Sequence, residues 1–142
     1  MAGPGDHAAS KIMFKTGQTV YVPAYSSIYH GDREREFNLA VTLSVRNTDV
    51  SNAIILEKVD YHDTAGKILK RYLPVKQVLK PLESTQYVVA ESDIKGGSGA
   101  NFIVIWHSAK PVSEPVIEAI MIGTGGQQGI SFTSRGVAIR EK

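Results

Sequence analysis

The stretch FNLAVTLSVRNT, residues 37–48, decides the fold. Leu39, Val41, Leu43 and Val45 alternate with Asn38, Ala40, Thr42, Ser44 and Arg46. A period of two marks a strand with one face buried and one face wet. The β-branched Val and Thr favour extended backbone. The run ends at Asn47-Thr48-Asp49, whose side chains can bond their own backbone and favour a turn. Such a strand cannot bury its apolar row alone; it needs a second layer opposite.

Working outward, the same reading recurs. Val20 and Val22 lie on one face of a strand over Gln18 to Tyr25. Pro23 cannot donate to a ladder, so this strand is expected at a sheet edge or with a bulge. Ala53 to His62 alternates imperfectly, which predicts partial cover on both faces. Asp63 to Lys67 reads as a turn, with Gly66 available for a left-handed residue. Leu79-Lys80-Pro81-Leu82-Glu83 reads as a corner that carries the chain between sheets. Further strands are expected at Thr85 to Ala90, Asn101 to Ser108 and Val116 to Ile122. Pro111 to Pro115 is expected as a surface connection. Ile130 to Thr133 and Val137 to Arg140 are expected to close the chain as a hairpin about Ser134-Arg135-Gly136. Asp93 to Ala100 and Gly123 to Gly129 are Gly-rich loops, the first expected to be flexible. The expectation is an all-β, antiparallel, immunoglobulin-like β-sandwich of about eight or nine strands. The single Trp106 suits a core anchor.

Composition bounds the function. The 142 residues suit one domain that buries about two-thirds of its unfolded surface. Residues 16–142 are expected to form it, behind a flexible lead-in over 1–15 in which residues 1–10 lack an apolar core. That lead-in reads as the trimmed start of an exported chain. A net charge of +2, spread along the chain, excludes a strong phosphate-backbone binder, so no nucleic-acid partner is expected. With no cysteine there is neither disulfide nor thiolate chemistry. No apolar run reaches the roughly 18 residues a spanning helix needs.

Candidate sites follow. Tyr25-Ser-Ser-Ile-Tyr29-His30 sets two tyrosines and a histidine in a loop. Flat apolar rings with polar tips suit partner contacts, although the same aromatics could simply pin the loop to the sandwich. Gln127 and Gln128 lie in the second Gly-rich loop, and Arg135 follows it. Together Tyr25, Tyr29, His30, Gln127, Gln128 and Arg135 form the expected contact set, for a protein or small molecule. The alternative is a metal set of His30, Asp60, His62 and His107. Asp60 and His62 share one side of a strand, but a site needs three or four converging ligands. The plain reading of Asp60-Tyr61-His62-Asp63 is a solvent-facing strand end. The Gly-rich loops lack the strand–loop–helix context of a phosphate cradle and read as turns. No Gly-x-Ser-x-Gly elbow surrounds Ser131 or Ser134, so no catalytic residue and no cofactor are assigned. Self-association through an exposed edge is a further expectation, with Gln18 to Tyr25 as the edge.

Four segments together resemble a bacterial domain-of-unknown-function family, number 3124. They are TGQTVYVPAYSSIYHG (16–31), NLAVTLSVRNTD (38–49), SGANFIVIW (98–106) and GTGGQQGISFTSRG (123–136). The resemblance implies a periplasmic or secreted protein, often made with a leader; a cytoplasmic placement is left open. It transfers no catalytic residue. The expected role is therefore a non-enzymatic exported binding or assembly module.

Overall fold

Each alternating run becomes a strand whose apolar row meets the row of another sheet. The computed structural model describes residues 12–30, 35–123 and 129–142. Among them are twelve strands and no helix. They are β1 Phe14–Pro23, β2 Ser27–His30, β3 Arg35–Asn38, β4 Ala40–Arg46, β5 Ile54–His62 and β6 Ile68–Arg71. β7 Gln77–Leu79, β8 Ser84–Val89, β9 Asn101–Ser113, β10 Val116–Gly123, β11 Ile130–Arg135 and β12 Val137–Glu141 follow. The count exceeds eight or nine because β2, β3 and β7 are only four, four and three residues long.

Two antiparallel sheets pack as a sandwich. The larger runs β12-β1-β9-β5-β6, with β7 beside β5, and the smaller runs β11-β10-β4-β8. β2 and β3 pair as a separate hairpin. Leu39, Val41, Leu43 and Val45 are fully buried, as their period required. They face Phe102, Val104 and Trp106 of central β9, also buried. Trp106 Nε1 donates to Gln18 Oε1 at 3.2 Å, so the core anchor keeps its polar end satisfied.

Four expectations are corrected or sharpened. Of the two alternatives for β1 the bulge holds and the edge does not: β12 pairs along Gln18 to Tyr21 and β9 along its whole length, with register shifts between Thr19 and Val20 and between Lys15 and Gly17. Pro23 is tolerated because it sits past the end of the β12 ladder, where no donor is required of it. The closing segment is not a hairpin, since β11 pairs β10 in one sheet and β12 pairs β1 in the other. Gly136 makes the crossing; a Cβ there would lie 2.7 Å from Val20 Cγ1 and 2.8 Å from the Ile117 carbonyl. The Pro111 region is no simple connection either. β9 continues to Ser113, pairing Val112 and Ser113 with Lys15 and Phe14. Finally, β5 has one fully buried face and one that is partly covered at Ile55, Asp60 and His62, and its mixed period has a local cause. Leu56 opposes Trp106 and Lys58 opposes Ile105, so Glu57 is an extra residue. This bulge flips the phase, and Ile54, Leu56, Val59 and Tyr61 all reach the core.

The Leu79–Glu83 corner does switch sheets, from β7 to β8. Gly66 takes the left-handed conformation at φ 86°, inside a turn closed by Asp63 Oδ1 on the Ala65 and Lys67 amides at 3.0 and 2.8 Å.

Candidate functional site

The register places most of the connections of interest at one end of the sandwich. β1 finishes there, β4 starts there, the β5–β6 turn lies there, and β8 leads through residues 90–100 into β9. β10 ends there at Gly123, opposite Ile130. The Tyr25–His30 stretch, residues 93–100 and the described ends of the 123–129 loop therefore meet at this end.

The first Gly-rich loop is tied down rather than loose. Ser26 N–H donates to the Gly97 carbonyl at 3.0 Å, and Gly97 N–H returns to Ser26 Oγ at 3.3 Å. Thr64 donates to the Gly96 carbonyl through both its amide and its hydroxyl, each at 2.9 Å. Gly99 N–H donates to Thr64 Oγ1 at 2.9 Å. The expected flexibility gives way because two hydroxyls, that of buried Ser26 and that of exposed Thr64, answer the loop's backbone, which Gly residues alone leave unspecified. Gly96 itself is required by space: a Cβ would run into the Tyr61 hydroxyl.

Tyr61 is 2% exposed, and its hydroxyl has no hydrogen-bond partner of acceptable geometry, although Ser26 lies near it. Burial foremost, with Asp93 nearby, pushes its ionisation up to about 12. Burial likewise raises Tyr72 and Tyr87, whose rings meet edge-to-face at 5.4 Å. Tyr61 lies in the core, and Tyr72 and Tyr87 pack against it.

On this base stands the β2–β3 hairpin. Ile28 and Phe37 pack on the core, and Leu39 N–H donates to the Ser26 carbonyl at 3.0 Å. Tyr25 is half-buried, its ring 5.5 Å from that of Phe132 at 62°, so it pins the loop. Tyr29 points the other way and is 62% exposed; Ile94 of the neighbouring loop is 52% exposed. Gln127 and Gln128 lie outside the described residues, as does the His30 side chain. Arg135 is not part of the cluster. It opposes Glu118, five rungs from the Gly123–Ile130 pair, or about 17 Å along the strand.

The metal set does not assemble. His62 opposes Asn101 and His107 opposes Ile55, so the two histidines lie six rungs apart, about 20 Å. Asp60 shares the outer face with His62 but opposes Arg71 on β6. Among the described residues no group of three or more His, Asp or Glu is placed to hold a metal ion. His107 Nδ1 instead lies 3.2 Å from Glu57 Oε1, a charge contact without hydrogen-bond alignment. No described helix is long and apolar enough to cross a membrane.

Ser26 and Thr64, the clamps of this end, escaped the sequence reading. Their signal is faint: a hydroxyl next to a turn, with its partner about 32 to 71 residues away.

Comparison with known proteins follows from this fold. No curated protein matches the chain. The crystal structure of Thermotoga maritima 1070 is similar, with a TM-score of 0.50 at 12% identity, covering 91% of this chain and 98% of that one. At such identity the likeness concerns the fold alone. A family model matches residues 17–139, and the chain therefore belongs to the family described as protein of unknown function DUF3124.

Proposed function

We propose that the protein is a non-enzymatic, exported binding or assembly module that meets its partner with the loop-bearing end of the sandwich. One observation carries this reading: separate loops converge on a clamped base and leave Tyr29 and Ile94 in solvent. A rigid platform lowers the ordering cost of binding, and an exposed tyrosine is the residue type that dominates protein contacts. Loops set on a stiff scaffold carry function more often than the core does. Export rests on the family resemblance alone.

The test is a paired capture experiment. Wild-type protein and a Tyr29→Ser/Ile94→Ser variant are immobilised and exposed to a bacterial envelope extract. A protein retained by the wild type and lost from the variant supports the proposal. Equal retention by both, with the variant's unfolding curve unchanged, overturns the surface assignment.

A further inference from the structure

A second feature lies on the outer face of the larger sheet, away from the loop end. There a trough of about 250 Å³ crosses four strands. Thr19 of β1 and Ile105 of β9 are paired neighbours and make its floor. The β5 bulge supplies one wall. The extra residue Glu57 turns its carboxylate outward, where the side chain keeps 31% of its exposure. His107 Nδ1 at 3.2 Å and Lys76 Nζ at 3.6 Å both approach Glu57 Oε1, which leaves Oε2 for another donor. The opposite wall is β12, with Arg140 directly across from Thr19, and Lys142 beyond it. Glu141 is taken by Lys15 at 3.3 Å, whereas no ion pair forms at Arg140 or Lys142 among the described residues.

The trough thus sets a carboxylate, Glu57, on one side and a guanidinium, Arg140, on the other, over a floor of one methyl-bearing hydroxyl and one aliphatic side chain. β12 and β5 stand three strand spacings apart, about 14 Å between backbones. Glu57 and Arg140 both line the trough, so the span between the two charges is shorter than that between the backbones. Arg offers a planar fork suited to a carboxylate, and a free carboxylate oxygen suits an ammonium. Bulges commonly re-aim a side chain at a binding site, and nothing in the packing of the core requires Glu57 to be acidic.

We infer that this trough binds a small zwitterion of the amino-acid class, its carboxylate on Arg140 and its ammonium on Glu57. The site is independent of the loop end, so its failure leaves the proposal for that end untouched.

The test uses the full chain and a series of probes followed by amide chemical shifts. Glycine, 4-aminobutyrate and 6-aminohexanoate vary the distance between the charges; butyrate and butylamine each carry one charge. The expected result is saturable shifts at Thr19, Ile105 and Arg140 with at least one zwitterion, and binding about tenfold or more weaker for both single-charge analogues. Arg140→Gln, an exposed change on an edge strand, should weaken that zwitterion about tenfold, and Glu57→Gln likewise. Tyr29→Ala should leave it unchanged. Butyrate binding as well as the best zwitterion would make this a plain anion site and overturn the inference. So would an absence of saturable shifts, or an Arg140→Gln variant that binds like wild type.

Discussion

Where β4 stops, the long-range ties are made by a side-chain amide and a carboxylate; at the opposite end they are made by the hydroxyls of Ser26 and Thr64 to bare glycine backbone, with Asp63 closing only its own turn. At the first end Asn47 is 2% exposed. Its Nδ2 donates to the carbonyls of Asn52, Leu79 and Lys80 at 3.0, 3.2 and 3.0 Å. Asp49 Oδ1 accepts from the Ser51 and Asn52 amides at 2.9 and 2.8 Å, and Oδ2 from the Ser113 amide at 3.1 Å. One turn thereby holds the β7–β8 corner and the end of β9. Even the strained Leu82, at φ 64°, is kept in place by its amide bond to the Asp49 carbonyl at 3.2 Å. The loop end has Ser26 and Thr64 in place of Asn47 and Asp49, a buried tyrosine hydroxyl without a partner, and a projecting Tyr29. The difference teaches a division of labour: one end closes the sandwich, and the other is shaped for contact, with its polar groups less completely used.

Asn47→Ala should break the fastened end most severely. One buried and two partly buried carbonyls lose their donor, so the loss should be about 3 kcal/mol of unfolding free energy in urea. A loss under about 1 kcal/mol would mean that water replaces the amide without penalty and that this end is not closed.

Gly96→Ala attacks the other end. Forcing a methyl against the Tyr61 hydroxyl should cost about 2 kcal/mol. A neutral outcome would show the loop to be as loose as its glycines imply.

The two ends should also separate by pH. Hydrogen bonds from the Ser51, Asn52 and Ser113 amides hold Asp49 below its ordinary 3.8. With a folded value below the unfolded one, its contribution is complete above about pH 5. It is lost as pH falls through the folded value, and Asp49→Asn should flatten that part of the acid limb. Tyr61 runs the opposite way. Raised from 10.0 to about 12 by burial of its hydroxyl, it leaves stability independent of pH below about 10 and makes the fold progressively less stable between 10 and about 12, where the unfolded chain ionises first. Tyr61→Phe should remove this alkaline limb and, by deleting an unpartnered buried hydroxyl, raise stability at neutral pH by about 1 kcal/mol. A loss of more than about 1 kcal/mol would reveal a partner for that hydroxyl.

The smallest effect is expected at Tyr29→Ala. Its exposed ring should change stability by less than about 0.5 kcal/mol while abolishing any contact made by the loop end. Stability loss of core size would return Tyr29 to the packing and remove the main distinction between the two ends.

Much of this was legible in advance. The alternation of Leu39, Val41, Leu43 and Val45 and of Phe102, Val104 and Trp106 needs only local geometry, since a strand turns successive side chains to opposite faces. The Asn47-Thr48-Asp49 turn and the Asp63–Lys67 turn were equally plain, because their side chains bond backbone two to four residues away. Asn47 was not legible as a clasp on Leu79 and Lys80, since a long-range acceptor leaves no local mark. The bulge at Glu57 showed only as an imperfect period, which two half-covered faces would explain as well.

Residue order by itself determined that the described residues build strands and no helix, which rows go inward, and where the chain turns, because those follow from side-chain period and backbone preference within a few residues. Tertiary structure alone decided that β1 is enclosed, that β11 and β12 part company at Gly136, that His62 and His107 stand far apart, and that Glu57 faces Arg140 across a floor. Those facts depend on which strands become neighbours, and many pairings bury the same apolar rows equally well until the whole sandwich closes.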